Sequence, residues 1–153
     1  MYVCGPTVYD RLHSGNFRGP ITVNMVRNWL EKLGNKVTFV YNYTDVDDKI
    51  ITRANEEKTT TEAISEKYIK AFEEDFNRLG LKKHEYNPRV TDFMPQIISF
   101  IDGLVKNEHA YVASGEVFYS IEKFANYGAL SGNSQDELNA GQRVEVEPKK
   151  KNP

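Results

Sequence analysis

The first eighteen residues, Met1–Arg18, constrain the fold more than any other part of the chain. Tyr2 and Val3 have the pattern of a short apolar strand, which runs into Cys4–Thr7, a turn containing glycine and proline. A loop then leads to His13–Asn16, and a long helical pattern follows. Such a junction directs free backbone N–H groups and the positive end of a helix dipole at one place. The stretch therefore favours the binding of phosphate.

Side chains at the start of this helix fit the same interpretation. His13 and Asn16 supply hydrogen-bond donors. Gly15 has no Cβ, so a flat ring or a phosphate group can approach the backbone closely. The same four residues also fit an ordinary helix N-cap with a surface histidine. The tetrad by itself leaves both interpretations open.

The helix and the strand that follow complete a unit of strand, loop, helix and strand. Trp29 belongs to an i, i+3, i+4, i+7 set with its neighbours, which predicts that it faces the core, and Pro20 is tolerated only in the first turn. Gly34 ends the helix, and Lys36–Asn42 is a buried strand. The apolar set is Val26, Trp29, Leu30 and Leu33. The order predicts a parallel crossover, an α/β fold.

Two segments about forty residues apart should meet at one edge of this sheet. Ligands of parallel sheets bind beyond the carboxyl ends of the strands. Cys4 and Gly5 follow the first strand, and the segment from Asn42 to Asp45, which includes Tyr43 and Thr44, lies at the end of the second. We therefore expect Thr44 to face Cys4.

The motif Thr44–Lys49 admits several interpretations. A calcium loop requires an oxygen ligand at its fifth position and glycine at its sixth, where this chain has Lys49 and Ile50. An aspartyl-phosphate phosphatase also has two aspartates after an apolar strand, but Lys49 stands where a hydroxyl residue usually follows. The structural alternative, which we favour for Asp47 and Asp48, is the acidic first turn of a helix.

Further along, the pattern predicts a helix, a strand, a helix and a hairpin. Thr59 and Glu62 form a capping box for a helix that Gly80 ends. Its stripe is core rather than a base-stacking surface and consists of Ile64, Tyr68, Phe72, Phe76 and Leu79. His84 lies in a polar connector. Residues 88–92 favour a third strand, and Thr91 or Asp92 caps the next helix, with the apolar positions Ile97, Ile98, Ile101, Leu104 and Val105. Ser114–Gly115 is the turn of a hairpin.

Composition excludes several classes of protein. With 153 residues, 39% of them hydrophobic, the chain suits one globular domain, and its net charge of −2 gives no global basic field for nucleic acid. A single cysteine excludes an internal disulfide and fits a reducing compartment, so we expect a cytoplasmic location. No apolar run approaches the ~18 residues of a membrane span. Asp10, Arg11 and His13 interrupt any signal-peptide pattern.

The string Tyr2–Asp10, followed by His13–Asn16, resembles the opening of the catalytic domain of cysteinyl-tRNA synthetases. These class I enzymes carry the ATP signature His-Ile-Gly-His, and here Ser14 and Asn16 occupy its second and fourth positions. Asparagine keeps a donor for a phosphate oxygen but carries no proton. The string from Asn42 to Ala54 is also similar to that family, as are Tyr127–Ser131 and Ala140–Val144.

The resemblance implies a parallel-sheet, Rossmann-like nucleotide-binding fold of the class I synthetase (HUP) type, interrupted by an inserted subdomain with a β-hairpin. We expect residues 1–92 to form the first half of the nucleotide-binding domain. Residues 93–153 would form a helix and the start of the insertion. The family extends in both directions past the chain, so the chain would be an N-terminal portion that is inactive alone.

The resemblance also assigns roles to individual residues. His13 and Asn16 would be catalytic. The ATP site would comprise Thr7, Tyr9, His13, Gly15, Asn16 and Arg18, with Mg²⁺ on the nucleotide. Gly5 and Thr44 would contact the cysteine substrate. Cys4 would be one of four ligands of a Zn²⁺ ion that binds the substrate thiolate, with the other ligands outside this chain. We therefore expect no tight zinc binding by these residues alone.

The implied reaction is ATP-dependent activation of L-cysteine and its transfer to tRNA(Cys), with most tRNA contacts made by other segments. One alternative is the cysteine ligase of mycothiol synthesis, which has the same fold and zinc but no tRNA-binding end. Another is a non-catalytic module that binds a nucleotide or a protein partner.

Overall fold

The computed structural model describes residues 1–132, and the family-like segment Ala140–Val144 lies outside them. The chain divides into two compact units, Met1–Met94 and a second unit that begins at Pro95. In chain order the first unit contains β1 (Tyr2–Val3), α1 (Ser14–Lys32), β2 (Val40–Tyr41), α2 (Asp48–Glu57) and α3 (Thr61–Arg78). A 3-10 turn (Thr91–Phe93) precedes α4 (Met94–Lys106), followed by β3 (Ala110–Ala113), β4 (Glu116–Tyr119) and a 3-10 turn (Ile121–Lys123).

The first unit has a small parallel sheet, as the α/β pattern predicts. β1 pairs with β2, with Tyr2 opposite Val40. The strand predicted over Lys36–Asn42 is regular only at Val40–Tyr41, although single parallel bridges continue the pairing beyond it. On the other edge, Val40 of β2 is bridged to Tyr86, and Tyr43, which lies beyond β2, is bridged to Arg89. Of the strand expected over residues 88–92, Arg89 is therefore paired, whereas Thr91 and Asp92 lie in the 3-10 turn.

The core of the first unit forms where the aromatic side chains of α3 pack against those of β2 and its flanking residues. Phe39, Tyr41 and Tyr43 alternate along the chain and are all buried, because side chains two apart share one face of a strand. The Phe72 ring of α3 is stacked on Tyr41 at 5.8 Å and on Phe17 of α1 at 5.7 Å. The predicted aromatic stripe of α3 is therefore core, except for Leu79, which is 49% exposed.

The prediction that Trp29 faces the core is wrong. Trp29 is 61% exposed, and Lys32 places its ammonium 5.9 Å from the Trp29 ring centre. Among the described residues, α1 instead buries Phe17, Pro20 and Arg27. Pro20 lies inside the helix, beyond the first turn where the sequence analysis placed it.

The contacts of Arg27 explain why α1 buries a different face from the one that the sequence predicts. Its guanidinium donates to Glu31 at 2.9 Å, to the carbonyl of Lys83 at 2.7 Å and to Glu85. The charge is thus paired while the aliphatic stem is buried, with the guanidinium 6.0 Å from the Phe39 ring centre. Hydrophobic spacing alone could not reveal that a charged side chain would be the buried one.

Helix caps agree with the sequence in one case and differ in two. Asp47 caps α2 and accepts from the Lys49 N–H at 2.9 Å, with Asp48 in the first turn, as predicted. The cap of α3 is Thr60 rather than Thr59, because the Thr59 N–H is used at the end of α2, where it donates to Ala54.

The second difference concerns Thr91, which was expected to cap the helix after it. Its N–H donates to the buried carboxylate of Asp45 at 3.1 Å, and its hydroxyl donates to the same carboxylate. Asp92 makes no side-chain cap either, since the 3-10 turn and α4 run on without one. A buried carboxylate needs donors, and this need decides where the Thr91 side chain goes.

In the second unit, β3 and β4 form the predicted antiparallel hairpin, with Ala113 opposite Glu116. Ser114 and Gly115 both have positive φ, at 52° and 84°, as a two-residue hairpin turn of this twist requires. α4 fully buries none of its residues: Ile98 is exposed at 60%, Ile101 is exposed at 37%, and the apolar positions Ile97, Leu104 and Val105 are half-buried. No helix in the described part of the chain is both long and apolar enough to cross a membrane.

We expect the stability of the first unit to depend on pH through His84. Its ring lies 4.6 Å from Tyr41, 4.7 Å from Phe76 and 4.9 Å from Phe39. Burial lowers the pKa of His84 from 6.5 to about 4, and the charge of Arg27 adds to the shift. Because the unfolded state then binds more protons between these values, the stabilisation is complete above pH 6.5 and is lost as the pH falls toward 4.

The variant His84→Phe keeps a ring in the core and removes the titration. Between about pH 7 and about pH 4.5, wild type should lose more free energy of unfolding than the variant. The difference should be on the order of 2 kcal/mol, discounted because the imidazole is only half-buried. Urea unfolding at both pH values measures it. Equal losses in the two proteins would show that His84 titrates normally in the folded state.

Candidate functional site

The carboxyl ends of β1 and β2 converge, as the parallel order predicts. The Gly5 N–H donates to Asn42 Oδ1 at 3.0 Å, and the Thr44 N–H donates to the carbonyl of Pro6 at 3.0 Å. The Val8 N–H returns a bond to the carbonyl of Thr44 at 3.2 Å. Backbone hydrogen bonds therefore hold the two segments side by side beyond the sheet.

Gly5 is required by this approach. A Cβ built on Gly5 would lie 1.7 Å from the carbonyl oxygen of Asn42 and 3.2 Å from the ring of Tyr41. No side chain fits there unless the two segments separate. Glycine at this position is thus explained by the contact between backbones, and its predicted contact with a substrate stays a prediction.

Asn42 lies at the sheet edge where its sequence position places it, but the sequence pattern gave its side chain no role. Its Oδ1 accepts from Gly5, and its Nδ2 lies 3.5 Å from Oγ1 of Thr44. One carboxamide therefore links the turn after β1 to Thr44, the predicted substrate residue that follows β2. An asparagine immediately after a buried strand, at the edge where ligands bind, was the available signal.

The tetrad His13–Asn16 forms the N-terminus of α1. His13 is the N-cap, and its Nδ1 accepts from the Gly15 N–H at 3.1 Å. Asn16 closes a capping box, because its Oδ1 accepts from the His13 N–H at 3.0 Å. The ordinary helix N-cap that the sequence also fits is thus present in the molecule. The N–H of Gly15 is hydrogen-bonded within this cap.

The cap uses one ring nitrogen of His13 and leaves the other available to a ligand. Since Nδ1 accepts a hydrogen bond, the proton of a neutral His13 ring is on Nε2, which is left as a donor. In the same way, Asn16 uses its oxygen in the cap and keeps its Nδ2 hydrogens. A Cβ on Gly15 would lie 2.9 Å from Cε1 of His13, so the flat ring that this glycine admits is that of its own N-cap.

The other predicted ATP residues are distributed along this stretch. Thr7 pairs with Thr44 in a parallel bridge. The ring of Tyr9 lies under Lys49, whose Nζ is 5.2 Å from the ring centre. Arg18 lies one turn into α1, where its carbonyl accepts from Thr22 at 2.9 Å. The structure brings Gly5, Thr7 and Thr44 together at the sheet edge and His13, Gly15 and Asn16 together at the helix cap.

A comparison with protein families is decisive for the class of the chain. The family described as tRNA synthetases class I (C) catalytic domain matches residues 1–153. The chain belongs to this family. A protein named cysteine–tRNA ligase from Bdellovibrio bacteriovorus is 59% identical over 153 residues, which are 100% of this chain and 32% of the relative.

A second relative has the same printed name. The cysteine–tRNA ligase of Methylobacillus flagellatus is 47% identical over 154 residues, which cover 100% of this chain and 34% of that protein. The chain therefore spans about a third of the length of the curated relatives it matches. The resemblance read from the two signatures is confirmed over the whole chain.

Cys4 does not form a metal site with the residues described here. It is exposed, it is the only cysteine in the sequence, and the described residues contain no group of three histidine, cysteine, aspartate or glutamate side chains that could hold a metal. A closed zinc site needs four ligands and a catalytic one needs three. These residues therefore do not fit a zinc ion, and a role for Cys4 as one ligand stays a prediction.

The close approach at Gly5 can be tested by substitution. We expect Gly5→Ala to lower the free energy of unfolding by about 3 kcal/mol or more, because the Cβ must displace the backbone of Asn42. The matched control is Gly19→Ala in α1, where a Cβ meets nothing within 4 Å. That variant should gain about 0.5–1 kcal/mol from helix propensity. Urea unfolding of both variants checks the pair, and a Gly5→Ala variant as stable as wild type would contradict the contact.

Proposed function

We propose that the full-length natural polypeptide is a cysteine–tRNA ligase. In this reaction a carboxylate oxygen of L-cysteine attacks the α-phosphorus of ATP and pyrophosphate leaves, which gives cysteinyl-adenylate. A terminal ribose hydroxyl of tRNA(Cys) then takes the cysteinyl group, and AMP leaves. The observation that carries the proposal is the 59% identity, over the whole of this chain, to a protein of that name. The two signatures lie in the part of the chain that this match covers.

Activation of this kind requires positioning and neutralisation of charge more than covalent chemistry. We assign the amino-acid end to the sheet edge, where Gly5 and Thr44 would bind cysteine. We assign the nucleotide to the junction from Thr7 to Arg18. His13 and Asn16 act there as donors from Nε2 and Nδ2, and both are catalytic in this proposal. The cap at Gly15 supports this assignment, because it fixes which nitrogen of His13 carries the proton.

Three further assignments belong to the same proposal. Mg²⁺ accompanies ATP. Cys4 contributes a thiolate at the edge that binds cysteine, as one zinc ligand if the remaining ligands come from other segments. The location is cytoplasmic, for which the single cysteine is the support.

The test is cysteine-dependent ATP–pyrophosphate exchange by the full-length natural polypeptide. His13→Asn should lower the exchange rate by roughly 10²–10³-fold, because the shorter asparagine side chain withdraws the donor from the position that Nε2 of His13 occupies. The free energy of unfolding should change little, since asparagine is an equally good N-cap. Zinc content is measured on wild type and on Cys4→Ser, and joint loss of zinc and of exchange in Cys4→Ser supports the metal assignment.

Each alternative has its own result. Exchange without charging of tRNA(Cys), but with transfer of cysteine to an amino sugar of inositol, would indicate the mycothiol-type ligase. No exchange by wild type would overturn the proposal in favour of a non-catalytic module. Exchange that survives in Cys4→Ser without zinc would overturn the assignment of Cys4 as a zinc ligand.

A further inference from the structure

The loop between β1 and α1 is held in place by α2 and α3. Asp10, at the middle of this loop, is 50% exposed in its side chain and accepts from the Arg11 N–H at 2.7 Å through Oδ1. Its other oxygen, Oδ2, lies 3.0 Å from Nη2 of Arg53 on α2. One oxygen of this carboxylate is therefore used within the turn that leads to His13, and the other is paired with α2.

Arg53 joins three elements at this point. The same Nη2 donates to the hydroxyl of Tyr68 on α3 at 3.3 Å, and Nε lies 3.3 Å from Oε1 of Glu57 on α2. The planar guanidinium with several fixed donors suits such a junction better than a single ammonium would. The side chain is 31% exposed, so part of this network is shielded from water.

We propose that Arg53 is a positioning residue for the signature histidine, acting through Asp10. The inference rests on the proposed function. The ion pair fixes the turn three residues before the cap at His13, and the cap in turn orients the ring. Displacement of a catalytic side chain such as His13 by about 1 Å can lower the rate on the order of 100-fold. A loop that is free to move should therefore slow the reaction without unfolding the protein.

The packing of α2 on α3 does not depend on this ion pair. Ile50 and Ala54 of α2 and Ile64 and Tyr68 of α3 are buried in the hydrophobic cluster. A neighbouring ion pair, Lys67 with Glu57 at 2.7 Å, also joins the two helices but does not touch the loop. Removing Lys67 therefore provides a matched control for removing Arg53.

The experiment measures ATP–pyrophosphate exchange by the full-length natural polypeptide and its variants Arg53→Gln, Asp10→Asn, the double variant and Lys67→Gln. We expect each single change at Arg53 or Asp10 to lower kcat by roughly 10–100-fold with the KM for cysteine within about twofold of wild type. The double variant should be no slower than the slower single one, because both changes break the same contact. Lys67→Gln should keep wild-type kcat.

Urea unfolding is measured on the same proteins, so that a loss of folding is separated from a loss of positioning. Asp10→Asn retains an acceptor for the Arg11 N–H and serves where Arg53→Gln proves unstable. Variants with kcat near wild type, or losses that add in the double variant, would overturn the inference. Absence of exchange in wild type would instead refute the proposed function.

Discussion

The whole candidate site depends on how closely two stretches of backbone approach each other. Gly5 lies against the carbonyl of Asn42 at a distance that excludes any Cβ. This contact lets the Asn42 carboxamide bind the Gly5 N–H and approach the Thr44 hydroxyl. If the two strand ends were separated, the turn after β1 and the predicted substrate residue Thr44, which follows β2, would no longer share one edge.

The core supports this edge from beneath. Phe72 on α3 stacks on both Tyr41 of β2 and Phe17 of α1, so one ring joins the strand that leads to Thr44 to the helix that begins at the signature. After β2, the buried carboxylate of Asp45 accepts hydrogen bonds from the N–H and the hydroxyl of Thr91, which holds this segment against the chain near Thr91. Sheet edge and helix cap are thus positioned by the same packed unit.

At the helix cap, His13 and Asn16 each use one polar atom of the side chain in the cap and leave another available to a ligand. His13 accepts with Nδ1 from Gly15, and Asn16 accepts with Oδ1 from His13. What remains on each side chain is a donor, which is what an anionic ligand requires. The N-cap and the phosphate site, which the sequence presents as alternatives, are therefore compatible in one arrangement.

Much of this could be predicted from the sequence because it is local or set by periodicity. The acidic start of α2, the core stripe of α3 and the hairpin at Ser114–Gly115 follow from local residue patterns. The parallel α/β unit and the meeting of the two strand ends follow from the order of strand, helix and strand along the chain. Family membership likewise followed from two short strings. The roles of individual site residues stay predictions.

Other features depended on partners distant in sequence, and only the tertiary structure decided them. Trp29 is exposed because Arg27 finds acceptors fifty-six and fifty-eight residues away, which rotates α1. Thr91 bonds to Asp45 rather than capping a helix, and Arg53 reaches Asp10 across a loop. A sequence displays which groups can pair, but which pairs form is fixed only when folding brings buried polar groups within reach of donors and acceptors that satisfy them.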